Sequence, residues 1–212
     1  MTVVQESPTR RTTSAAVPGL IVAAPLLVLV SELIAPREPE GKTPAQEVGF
    51  LVDNADRLTA SWVLGMVAAT ALVAAYAVLA VRLTTRGRVV GRVAATLGAL
   101  GGAGLAAHYG AQLAVLDVAL HDSGLASAID AAEGGRAALA TIPPVVLGLN
   151  LAVILISVAA YRAGWVPAWG IALGVAAFLG DFSPTSYNTV IHAAFASALF
   201  VLIVRGSRPP QP

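Results

Sequence analysis

Six long apolar runs divide the chain, at 15–34, 60–81, 93–120, 137–160, 163–180 and 187–204. A helix rises about 1.5 Å per residue, so roughly 20 apolar residues match a hydrocarbon layer about 30 Å thick. The last two runs sit near the lower limit of about 17 residues. In hydrocarbon every backbone N–H and C=O must find a partner within the protein, which leaves only helices or a closed barrel. These runs lack the two-residue alternation of barrel strands. The fold class expected is therefore all-α, a polytopic transmembrane helical bundle of about six spans. Composition agrees: 57% of the 212 residues are hydrophobic, 12% are charged and mean hydropathy is +0.77, more apolar surface than a water-soluble domain of this size could bury.

Arg and Lys beside short connections are retained in the cytoplasm. Arg10, Arg11, Arg82, Arg86, Arg88, Arg92, Arg162, Arg205 and Arg208 fall on one side of the expected spans, against Arg37, Lys42, Arg57 and Arg136 on the other. The acids, apart from Glu6, show the opposite bias. Both termini are expected inside, in a multi-pass protein of the plasma (bacterial inner) membrane. Trp62 would lie at the outer headgroup layer, and Tyr161, Trp165 and Trp169 at the inner one. Residues 1–14 read as a disordered cytoplasmic tail and 205–212 as a second tail. The first run is too long for the core of a cleaved signal peptide and reads as a retained anchor. Nearly all the basic residues are Arg and the apolar ones are mostly Ala, Val and Leu, a usage expected of a GC-rich bacterium.

One outer connection carries its own structure. Thr43, Pro44 and Gln46 read as a cap, a first-turn proline and a residue reaching back to the cap. A short amphipathic helix around 44–58 should follow, with Ala45, Val48, Leu51, Ala55 and Leu58 on its apolar face and Glu47, Asp53 and Asp56 toward water. It either lies on the bilayer surface or covers the outer mouth of the bundle.

Several function classes fall away. There are no cysteines, so disulfides, thiolate metal sites and cysteine nucleophiles are excluded. The chain offers no basic stripe able to follow a phosphate backbone, and nucleic acid is not an expected partner. It lacks a Walker loop, a Gly-rich dinucleotide turn after a strand and a GxSxG elbow. The three histidines differ in expected depth and have no tight ligand spacing, so neither metal nor haem nor another cofactor is expected.

The candidate site comes from polar groups at membrane depth, because a charge in mid-membrane costs about 2.5–3.5 kcal/mol on insertion scales. These groups gather toward the outer half: Glu32 at the end of the first span, His108, Gln112, Asp117 and His121 on the third, Asp181 after the fifth, and Tyr187, Asn188 and His192 on the sixth. Gly98, Gly102, Ala106 and Gly110 form a small-residue stripe that lets another helix approach the third span. Extended by the helical period, the stripe brings Asp117 and His121 onto the same face. His108 and Gln112 fall on the opposite face, so this helix should meet protein on two sides. Asn150 reads as an interhelical hydrogen bond, and Pro25 and Pro143-Pro144 as helix kinks. The expectation is an outward-facing pocket between spans one, three and six, floored by His108 and rimmed by Asp117, Asp181 and His192.

The acidic loop after the first span, the Arg cluster after the second, and the segment Tyr161-Arg162-Ala163-Gly164-Trp165-Val166-Pro167-Ala168-Trp169-Gly170 resemble the pattern of small multi-pass bacterial membrane proteins of uncharacterised function. That resemblance implies the same topology and no site residues. Three readings stay open. In the first, a membrane protein binds a small or lipophilic ligand, or a protein partner, in the outer pocket. In the second, an acid/base isomerase or terpene-cyclase-like enzyme uses Asp117 or Asp181 as general acid with His192, and Tyr187, Phe182 and Tyr109 as aromatic walls, on a prenylated lipophilic substrate. The third is a transporter component. The enzyme reading requires Asp117, Asp181 and His192 to converge in one closed apolar cavity; transport requires a continuous polar path.

Overall fold

A computed structural model describes residues 16–37, 43–84, 86–121 and 136–207. The expected N-terminal tail lies outside the described residues, as do 208–212 and with them most of the expected C-terminal tail. The helices are α1 (Ala16–Ile34), α2 (Pro44–Asp53), α3 (Ala55–Arg82), α4 (Arg88–His121), α5 (Arg136–Pro143), a π-helical turn (Pro144–Leu149), α6 (Asn150–Arg162), α7 (Trp169–Asp181) and α8 (Asn188–Gly206). The described residues are almost wholly helical, and five helical stretches are long and apolar enough to cross a membrane, one of them running from Ala140 to Arg162. The chain is a multi-pass helical membrane protein.

The sixth expected span is the exception. α7 has 13 residues, about 20 Å of helix. Its start at Trp169, six residues later than hydropathy suggests, follows from how α6 ends. Gly164 takes φ +77°, its N–H donates to Tyr161 O and that of Trp165 to Ala160 O. This paired arrangement closes a helix around a left-handed glycine, and Pro167 follows it. Apolar character continues through 163–168, but the helix does not.

Side by side, the helices close a ring in the order α1, α3, α4, α6, α7, α8 and back to α1. The axis is filled in its lower part by Tyr76 against Phe200, edge to face at 5.6 Å, with Leu79, Leu199, Ile203 and Val204 packed in the same core. The outer surface is apolar: Leu26, Val30, Val63, Val67, Leu100 and Leu179 are all exposed, as lipid-facing side chains should be.

The small-residue stripe of α4 performs as expected over its first half. A Cβ on Gly98 or Gly102 would meet Tyr76, Val73 and Ala69 of α3. Its neighbours Gly101 and Gly104 face Gly148, Leu149, Pro144 and Thr141, so α4 meets protein on two sides. Gly110 faces open space. The Pro143-Pro144 pair sits where α5 gives way to the π turn, since Pro144 has no N–H for the regular ladder.

The amphipathic helix is shorter than expected. Thr43 caps it, its hydroxyl accepting from Gln46 N (3.4 Å) while its own N–H donates to Gln46 Oε1 (2.9 Å). It stops at Asp53, and the residues from Ala55 onward begin α3. Val48 and Leu51 of α2, with Leu58 of α3, are buried against Leu116 and Ala119 of α4, while Ala45 is exposed. α2 is thus clamped onto the end of α4 instead of floating in the interface.

Candidate functional site

At the end of the ring that carries α2, two cavities of about 430 and 450 Å³ share a wall made by Glu32, Trp62, His108, Asn188 and Thr189. The first lies beneath α2 and is completed by Arg37, Glu47, Phe50, Leu58 and Gln112 among others. The second reaches sideways, bounded by Leu105, Tyr109, Ile142, Val145, Val146, Asp181 and Phe182. Every helix of the ring except α6 contributes to this vestibule, and α5 and the π turn stand in its place with Ile142, Val145 and Val146. One chamber is markedly polar; the other is walled largely by aliphatic and aromatic side chains.

Glu32 is at its centre. Its Oε1 accepts from the Tyr109 hydroxyl (2.7 Å) and its Oε2 from that of Thr189 (2.8 Å), tying α1 to α4 and α8. Tyr109 reaches it because Gly65 of α3 leaves the space that its ring fills. The adjoining turn of α1 is fastened to α3, since Ser61 donates to Ser31 O (2.9 Å). Arg37 does not pair with the Glu32 carboxylate. Its guanidinium donates to Glu32 backbone O (3.2 Å) and lies 4.6 Å from the Tyr187 ring centroid, a cation–π geometry. One hydroxyl bond to each oxygen holds the Glu32 carboxyl group in one rotamer.

A second set of bonds supports the side chamber. Asn150 Nδ2 donates to Asp181 Oδ2 (2.6 Å) and to Val146 O (2.8 Å), which is the interhelical bond expected of Asn150. Asn150 Oδ1 is buried and has no partner among the described residues. Asn188 Nδ2 donates to Asp181 O (3.1 Å), and its Oδ1 accepts from Thr189 N (2.8 Å), so the 181–188 turn is braced from α8.

The sequence-derived candidates therefore separate. Glu32, His108, Gln112, Asp181 and Asn188 line the vestibule. His108 forms a shared wall, not the floor. His192 shares a helix face with Asn188 but lies deeper, beside a pocket of about 40 Å³ among Pro25, Val28, Leu72, Tyr76 and Phe200, where its Nδ1 bonds Ala177 O (3.1 Å). A carbonyl oxygen can only accept, so Nδ1 is the donor of this bond. Asp117 and His121 correct the expected rim: both side chains are about three-quarters exposed and the His121 ring bonds Asp117 O (2.7 Å). They stand at the far end of α4, outside both chambers, because the stripe that points inward at Gly98 has turned out of the bundle by Gly110. Tyr187 is half-exposed beneath Arg37 and lines neither chamber.

Asp117 thus stands apart, Asp181 lines the side chamber and His192 a separate small pocket, so the three do not share one closed cavity. Among the described residues no three His, Cys, Asp or Glu side chains converge as a metal site would require. Thr189, Trp62 and Glu47 also line the vestibule, though no sequence pattern marks them as site residues. Thr189 is a neutral residue next to Asn188, and Trp62 and Glu47 read naturally as a headgroup anchor and a water-facing acid. No protein-family model matches this chain, and neither curated proteins nor solved structures give a match.

Proposed function

We propose that the protein binds a single small amphiphile in the vestibule, from the outer side of a plasma membrane, with both termini in the cytoplasm. The observation that carries this reading is the division of the site into two chambers sharing a wall at Glu32. A polar headgroup fits beneath α2, where Glu47, Gln112, His108 and Asn188 offer donors and acceptors. An apolar tail fits between Leu105, Val145 and Phe182. Each chamber is within the roughly 300–1,000 Å³ range of small-molecule sites, and Ile142 and Phe182, both exposed at the side chamber, make a lateral way in from lipid. Asp117 stands outside both chambers, so the three groups of the acid/base reading do not share the vestibule, which favours binding. Below the vestibule the axis is packed with apolar side chains, which supports binding over passage.

The chain has three tryptophans, and Trp62 alone lines the vestibule. In a W165F/W169F background, dodecyl amphiphiles brominated on the tail should quench Trp62 fluorescence with saturation. Val145→Phe, which fills the tail chamber, should weaken the effect at least tenfold. Quenching that rises without saturation and is indifferent to V145F would refute the reading.

A further inference from the structure

The opposite end of the ring carries a site of different chemistry. A cavity of about 380 Å³ lies in the elbow between α3 and α4, lined by Ala80, Val81, Leu83, Thr84, Arg88 and Arg92. Arg88 and Arg92 are four residues apart, so their guanidinium groups project from one face of the first turns of α4, where the free N–H groups of the helix also favour an anion. The described ends of the elbow are closely packed. Leu83 is buried against Gly91, and Gly87, at φ +95°, lies where any Cβ would strike Ala159 O. Beside the arginines, Val81 is 78% and Val89 75% exposed, the two most exposed large hydrophobic residues described.

Among the described residues these arginines have no acidic partner. The one close acid–base contact among the described residues is Asp117 with His121 (3.5 Å), and Glu32, Glu47, Asp53, Asp56, Asp117 and Asp181 all belong to the other end of the bundle. Exposed guanidinium groups at the rim of an apolar groove suit an anion that also has hydrocarbon to bury.

We infer that this elbow is a binding site for an anionic phospholipid of the adjoining leaflet. Its phosphate bridges Arg88 and Arg92 with Thr84 as a further donor, and an acyl chain lies along Ala80, Val81 and Val89. Planar guanidinium groups suit bidentate phosphate contact, and basic residues at headgroup depth each contribute on the order of 1 kcal/mol toward anionic lipid.

The test is native mass spectrometry of the full chain from mixed micelles holding equal dioleoyl phosphatidylglycerol and dioleoyl phosphatidylcholine. The wild type should retain phosphatidylglycerol selectively. Arg88→Gln with Arg92→Gln should cut that retention roughly thirtyfold, equivalent to about 2 kcal/mol at 1.4 kcal/mol per decade. Arg86→Gln, outside the cavity, should leave it within about twofold, and R88K/R92K should recover much of it, which separates lost charge from misfolding. Equal retention of the two lipids, an R86Q loss as large as that of the double variant, or displacement of the lipid by millimolar inorganic phosphate would each overturn the assignment.

Discussion

The crossing of α4 over the π turn brings backbone against backbone, and its glycines allow a quantitative test. A Cβ added to Gly148 would lie 2.8 Å from both Gly101 Cα and Gly101 N and 2.9 Å from Leu97 O, where ordinary contact begins at 3.4 Å. All three atoms are backbone, so no rotamer change relieves the overlap, and the helices must part by about 0.5 Å. Overpacking of this kind costs about 1–3 kcal/mol, and backbone on both sides puts it near the top of that range. Alanine returns up to about 1 kcal/mol in helix propensity, so Gly148→Ala should lose a net of about 1–2 kcal/mol. Gly110→Ala on the same bundle meets nothing within 4 Å and should gain up to about 1 kcal/mol. Titration with SDS in mixed micelles, followed by circular dichroism, reads both. Equal midpoints for G148A and G110A would refute the claim that backbone contact at Gly101 and Gly148 sets this crossing.

Two further outcomes follow from the same geometry. Asn150→Leu removes the donor to Asp181 and should destabilise the bundle by about 1–2 kcal/mol; N150L/D181L should lose clearly less than the sum of the single changes, and additive losses would sink the idea that the two side chains are partners. Because the chain has no cysteine, Asp53→Cys and Arg86→Cys each give a unique thiol: an impermeant maleimide should label D53C on intact cells and R86C only after the membrane is opened, and the reverse pattern would invert the proposed orientation.

The histidines show how the candidate site came to be only partly legible. Helical period placed His108 and Gln112 together on α4, and both do line the vestibule, since neighbours one turn apart share a face whatever surrounds them. The same argument put Asp117 and His121 inside the bundle, where they are not. A face continues inward only while a partner helix runs alongside it, and by Gly110 no such partner remains. Glu32 presented itself as a polar residue at a span end; its bonds to Tyr109 and Thr189 join residues 77 and 157 positions away, which no local pattern reports.

Apolar run length was enough to establish a membrane-spanning helical bundle, because the bilayer imposes one length scale and one backbone rule on every segment; it misplaced three helix starts by five or six residues. The Thr43 cap and the interhelical role of Asn150 were also readable, being consequences of local hydrogen-bond chemistry. Closure of the ring, the clamping of α2 over its mouth and the joining of two chambers around Glu32 were decided by packing between distant helices. Those features depend on which glycines meet which backbones, and the sequence carries that information only through the three-dimensional contacts themselves.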